Sequence, residues 1–174
     1  RDSVEAVKIA YSLRDKFLGD PKYQKLDLMN LIQENIIKNY AKKINLDNAS
    51  DIEISDFPEH KDTIYLTVKD KNGMIISFIN SLFDQFGSGI TVPKTGILLH
   101  CRGKSFSLKD SHPNQISGRK RPLHTIIPGM IGRNDDVVGS FGVMGGHYQA
   151  AGHAFILSQI LDFHLSPQCA LDLP

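Results

Sequence analysis

Thr63-Ile64-Tyr65-Leu66-Thr67-Val68-Lys69-Asp70-Lys71-Asn72-Gly73-Met74-Ile75-Ile76-Ser77-Phe78-Ile79-Asn80-Ser81-Leu82 is the stretch on which the fold turns. Two runs rich in β-branched and aromatic residues, 63–70 and 74–82, flank Asn72-Gly73. Such a pair around Asn-Gly predicts a β-hairpin, because Asn and Gly accept the positive φ that tight hairpin turns require. Before it lies a polar, acidic segment, 46–62, that contains Pro58 and ends His60-Lys61-Asp62. It reads as an exposed loop or linker.

Upstream of the linker the apolar period changes. Val4, Val7, Ile9, Ala10, Leu13 and Leu18 recur at helical spacing until Gly19-Asp20-Pro21 stops them. Leu28, Leu31, Ile32, Ile36 and Ile37 mark a second helix from about Asp27 to Lys43. Downstream, Ile97-Leu98-Leu99 reads as a short buried strand and 103–122 as a long loop. Leu123–Ile131 and Val137–Val143 read as two strands joined at 132–136. Tyr148–Phe163 reads as a helix, and Ser166-Pro167 as the start of one more. Helices, then strands, then helix, without an internal repeat, predict an α+β fold in layers of sheet and helix.

With 174 residues, 41% of them hydrophobic, the chain can bury a core of ordinary size. Twenty basic and 19 acidic residues leave a net charge of +1, which gives no broad electrostatic ground for nucleic acid or an anionic membrane. Arg119-Lys120-Arg121 is too short a basic run to change that and reads as local pairing. No run approaches the roughly 20 apolar residues of a membrane span. Cys101 and Cys169 cannot make a disulfide framework; one bridge, and the compartment, are left open. The start at Arg1 without Met and the stop at Pro174 read as an excised piece of a longer polypeptide.

For amide chemistry a nucleophile, a base and an oxyanion site are needed. No Gly-x-Ser-x-Gly elbow is present; Phe86-Gly87-Ser88-Gly89 lacks its surroundings. Seven histidines include no His-Glu-x-x-His, and no Cys-x-x-Cys occurs, so no metal site is expected. His147 and His153, six apart, miss a shared helical face. A threonine at a strand start is ordinarily a β-branched strand residue. Were the bond before Thr63 cut, however, its α-amine, with a reference pKa of about 7.7–8.0, could serve as base to its own hydroxyl.

The neighbours of Thr63 sharpen this. Asp70-Lys71-Asn72-Gly73, Phe86-Gly87-Ser88-Gly89, Gly96-Ile97-Leu98-Leu99, Lys120-Arg121-Pro122-Leu123 and Gly145-Gly146 follow it in order. In that order and spacing the chain resembles the γ-glutamyltransferase (glutathione hydrolase) family of N-terminal-nucleophile hydrolases, whose fold is an αββα sandwich. Residues 1–45, with Glu5-Ala6 and Arg14-Asp15-Lys16, resemble the helical end of that family's large subunit. Residues 46–62 would be the linker before the cleavage site. Residues 63–174 would be a small-subunit-like region short of its last strands.

The resemblance implies a chain that cuts itself before Thr63. Thr63 would then attack a γ-glutamyl or related amide, Ser81 would assist it, and Gly145 and Gly146 would hold the oxyanion. It implies no metal and no organic cofactor. The implied partners are a small amide, water or an acceptor amine, and the rest of the parent chain; a homo-oligomer is left open. The family's donor-binding positions are altered: Phe83 stands for an Asn, Arg102 for a Gln, Ser105 for an Asp, and His124-Thr125 for a Ser-Ser pair. Losing an acid and gaining an arginine removes a partner for an ammonium and offers one for a carboxylate. A glutaryl or poly-γ-glutamate donor is therefore a second expectation, and a non-catalytic, unprocessed relative a third.

Overall fold

The computed structural model describes residues 2–24, 26–52 and 63–173. It divides into two compact units, Arg1–Asp56 with Gly103–His124, and Phe57–Arg102 with Thr125–Pro174.

In the first unit, helix α1 (Asp2–Phe17) places Asp2 and Glu5 in its first turn and Arg14 and Lys16 in its last, matching the helix dipole. Glu5 is buried, yet fully partnered. It accepts from Lys8 Nζ at 2.9 Å, from the Ser50 N–H at 3.1 Å and from the Ser50 hydroxyl. The expected helix from Asp27 to Lys43 is broken in two. A 3-10 turn, Leu28–Ile32, is capped by Asp27, whose carboxylate accepts the Met29 N–H at 3.0 Å. Gln33 is extended, its amide bonded to Asn30 Oδ1 at 3.0 Å, and α2 spans only Glu34–Ala41. Local bonds of Asp27, Asn30 and Gln33 compete with the helix at its start.

Across this unit Asp20 ties two distant segments. Its carboxylate caps the turn Pro21–Tyr23 through the Lys22 N–H at 3.1 Å and accepts the Arg121 N–H at 2.9 Å and Nη2 at 3.2 Å. Lys120 lies 5.1 Å from the Tyr23 ring centre, so Lys120 and Arg121 of the basic run are locally paired. These bonds favour the charged carboxylates. Arg121 first, and Lys22 after it, bring Asp20 from 3.8 to about 2. Ser50, then Lys8, bring Glu5 from 4.5 to about 2. A carboxyl with a depressed folded pKa stabilises the fold above its unfolded value and loses that contribution as pH falls through its folded one. The unfolding midpoint should therefore drop as pH goes from about 4.5 to about 2. Thermal scans across that range should show a shallower drop for Asp20→Asn, from a lower starting midpoint.

The second unit carries two antiparallel hairpins. Strands β1 (Thr63–Lys69) and β2 (Ile75–Ser81) pair in the register Thr63↔Ser81 through Lys69↔Ile75. Their turn is held by the Asp70 carboxylate, which accepts from the Asn72 N–H at 2.8 Å and the Met74 N–H at 2.9 Å. Strands β3 (Gly129–Arg133) and β4 (Asp136–Phe141) pair with a bulge at Ile131/Gly132. The sequence placed the first of these strands from Leu123, but 123–128 form no strand. Ile97–Leu99 contributes only an isolated bridge, Thr91↔Leu98.

The two hairpins meet through a Thr67–Ser140 hydroxyl bond. Just past β4, Gly142 lies flat on the Tyr65 ring, where an added Cβ would sit 2.3 Å from a ring carbon. Only glycine permits that approach, and it brings the chain leaving β4 alongside β1. Helix α3 (Tyr148–Leu161) follows, and α4 (Pro167–Leu171) closes the chain with Ser166 as its cap, its hydroxyl accepting the Cys169 N–H at 3.2 Å. Among the described residues no helix is long and apolar enough to cross a membrane, and no three His, Cys, Asp or Glu side chains converge as a metal site.

Candidate active site

Thr63 is the first residue of β1 and Ser81 the last of β2, so the register sets them side by side. Directly opposed residues of an antiparallel pair share one face of the sheet. Here that face is the inner one: Thr63 is 6% exposed, while Ile64 on the other face is 65% exposed. The Thr63 hydroxyl donates to Ser81 Oγ at 3.0 Å, and the Phe83 N–H donates to the same oxygen at 3.1 Å. Ser81 is thereby fixed by the backbone that follows it. Phe83, at φ 81°, is in the left-handed region, which turns the chain sharply out of β2.

These residues open onto a cavity of about 700 Å³ lined by Thr63, Ser81, Leu82, Asp84, Phe86 and Gly145, among others. Gly145 has φ 117° and Gly146 φ 56°. Their carbonyls accept the N–H groups of Tyr148 at 3.0 Å and Gln149 at 3.2 Å, in the first turn of α3. Their own N–H groups meet no acceptor among the described residues. A backbone donor in a positive-φ turn on a cavity wall that a hydroxyl also lines, as Gly145 and Thr63 do here, is an arrangement able to stabilise an oxyanion.

The expected donor-binding residues separate into two groups. Phe83, Arg102 and Thr125 come together and are buried, at 4%, 6% and 8% exposure. The Arg102 guanidinium lies 5.3 Å from the centre of the Phe83 ring and donates to Thr125 Oγ1 at 3.4 Å. Burial pulls its pKa below the ordinary value, with Cys101 opposing the shift. The Phe83 ring also meets the His147 ring edge-on, centroids 6.2 Å apart. Ser105 and His124 belong to the other unit. The Ser105 hydroxyl there donates to the Leu123 carbonyl at 2.5 Å, and Asn114 braces the same loop, donating to the Ser105 carbonyl at 2.6 Å and accepting the Leu123 N–H at 3.0 Å. The Ser105 hydroxyl thus holds the Lys-Arg-Pro-Leu loop. His124 is exposed.

Two residues escaped the sequence reading. Asp84 brings a carboxylate residue to the cavity wall. His153, weighed there only as a metal ligand, accepts the Val143 N–H at its Nε2, 3.1 Å away. Asp62, on the far side of the expected cleavage point, lies outside the described residues.

The family model for gamma-glutamyltranspeptidase matches residues 1–174. The glutathione hydrolase-like YwrD proenzyme of Bacillus subtilis (strain 168) is 36% identical over 171 residues, which is 98% of this chain and 32% of that relative. The oxamate amidohydrolase proenzyme of Klebsiella pneumoniae is 34% identical over 158 residues, 91% of this chain and 30% of the relative. The crystal structure of cephalosporin acylase from Bacillus halodurans matches with a TM-score of 0.87 at 37% identity, covering 99% of this chain and 31% of that one. The chain thus spans less than a third of the length of these relatives. Its α+β architecture is that of an N-terminal-nucleophile hydrolase, as the motif order around Thr63 led one to expect. Matched along its whole length, the chain belongs to the gamma-glutamyltranspeptidase family.

Proposed function

We propose that the full-length protein is a self-cleaving amide hydrolase or acyltransferase with Thr63 as nucleophile, acting on a γ-glutamyl or related amide. The observation that carries this reading is the Thr63–Ser81 hydroxyl pair at the wall of a cavity that Gly145 also lines. In the first reaction Thr63 Oγ attacks the Asp62 carbonyl, the C–N bond breaks as the ester forms and the freed Thr63 amine keeps the hydroxyl proton, and water then cleaves the ester to the Asp62 carboxylate and the Thr63 hydroxyl. In the second, that amine takes the hydroxyl proton as Oγ attacks the substrate amide. The N–H groups of Gly145 and Gly146 receive the oxyanion, and the leaving amine departs with the proton. The ester then passes to water or to an acceptor amine. Ser81 orients the attacking hydroxyl throughout.

Intact mass of the full-length protein tests the first reaction, with a break between residues 62 and 63 as the expected result. An unbroken chain that also fails to turn over γ-glutamyl anilide defeats the proposal and favours a non-catalytic relative. A second reading concerns the donor. Arg102, buried on the Phe83 ring beside Thr125, suits an acyl group that keeps the carboxylate of γ-glutamyl and lacks its ammonium, as glutaryl does. A relative 34% identical is named for the acid amide oxamate, which supports that alternative. Competing γ-glutamyl and glutaryl anilides in one assay separates the two: a glutaryl preference favours the Arg102 reading, and a γ-glutamyl preference removes it.

A further inference from the structure

We propose that His153 is the positioning residue of the Gly145-Gly146 turn, holding it from helix α3 through the backbone of Val143. The proposal rests on the reading of those glycines as oxyanion donors.

A loop leaving an edge strand has little of its own to fix it, since the ladder ends with β4 at Phe141. The segment from 142 to 147 must nevertheless hold two N–H groups in one geometry, because displacement of a catalytic donor by about 1 Å is enough to cost on the order of a hundred-fold in rate. Two features of α3 grip it at Val143, two residues before Gly145. His153 Nε2 accepts the Val143 N–H at 3.1 Å. Gly152, the residue beside it, leaves room for the Val143 side chain: a Cβ added there would lie 3.1 Å from Val143 Cγ2 and 2.7 Å from a Tyr148 ring carbon. Val143 is therefore seated on the helix by its backbone on one side and its side chain on the other.

The histidine itself is held in turn. It is 7% exposed, and its ring meets that of Phe141 edge-on at 4.9 Å. Burial lowers its pKa, which favours the neutral ring. An Nε2 that accepts must be unprotonated, so the proton of the neutral ring is on Nδ1. The same helix supplies, in its first turn, the N–H groups of Tyr148 and Gln149 that bind the carbonyls of Gly145 and Gly146. One rigid element thus grips the turn both before and after the two glycines.

The test uses the full-length protein, with kcat and KM measured on whichever anilide the wild type prefers. His153→Leu fills similar space without an acceptor; His153→Gln restores an acceptor. The expected result for His153→Leu is a KM within about two-fold of wild type and a kcat lower by roughly ten- to a hundred-fold, with most of the loss recovered in His153→Gln. A wild-type kcat in His153→Leu overturns the proposal, as does a loss that glutamine leaves uncorrected. Nitrogen NMR of the wild-type ring gives a reading independent of how any variant folds: a protonated Nδ1 supports the proposal, and a protonated Nε2 refutes it. The two readings fail separately. A wild-type kcat in Gly145→Ala defeats the oxyanion assignment, whereas a low kcat there beside a normal His153→Leu defeats the positioning role.

Discussion

Thr63→Ala is expected to leave the full-length protein as one uncut chain and to reduce amide turnover by on the order of 10⁵-fold or more, the scale on which a lost nucleophile is felt. The hydroxyl is the only atom removed that matters to the chemistry. It lies 3.0 Å from Ser81 Oγ, and Ser81 is no substitute for it, since it sits at the end of a different strand, 18 residues from Thr63 at the expected cleavage bond. Thr63→Ser supplies the contrast. It keeps the oxygen and the prospective amine and drops a methyl group, so it should still cut itself, more slowly, since a serine side chain loses the rotamer restriction that branching gives threonine. A denaturing gel and intact mass separate these outcomes from a folding defect, because both variants should unfold within a few degrees of the wild type. An alanine variant that is still cut before residue 63 sinks the assignment.

Gly145→Ala should leave self-cleaved protein scarce and lower kcat by about 10²–10³-fold, the usual loss of one oxyanion donor. The cause is geometric. At φ 117° a residue with a Cβ is strained, and that Cβ would meet Tyr148 Cβ at 3.3 Å, so the turn must rotate to admit it. Rotation displaces the Gly145 N–H, while the Tyr148 and Gln149 bonds to the carbonyls resist it. KM should change little, because the donors act on charge that forms only during the reaction. Steady-state kinetics on purified, cleaved protein read this directly; an unchanged kcat removes Gly145 from the oxyanion site.

Much of the fold was legible because hairpins announce themselves locally. Asn72-Gly73 between two β-branched runs placed β1 and β2 within a residue of where they lie. Ser166-Pro167 announced α4 for the same reason, since a cap and a proline act on their own turn. The helix expected from Asp27 failed only in its first turns, where the local side-chain bonds of Asp27, Asn30 and Gln33 compete with it, a balance that periodicity does not weigh. The β3 start failed because Leu123–Pro128 carries strand-like residues without a partner to pair with. In the site, Thr63, Ser81 and the two glycines were reached through a resemblance, and the structure sets Thr63 against Ser81 and puts Gly145 on their cavity. His153 was missed because its bond runs to a backbone N–H ten residues back, which no side-chain pattern encodes. Gly152 before it, inside a helix, was the available signal.

Because Thr63 and Ser81 are the two open ends of one hairpin, the accuracy of their meeting is decided at the other end, where Asp70 gathers the Asn72 and Met74 N–H groups. A slip of one residue there would bring Asn80 or Leu82 opposite Thr63 and turn Ser81 to the outer face. The turn is about 20 Å away along strands of seven residues. The Thr63–Ser81 hydroxyl pair therefore comes into being only once this hairpin has closed in correct register, and the chain carries in Asp70 a remote proofreader of that pair.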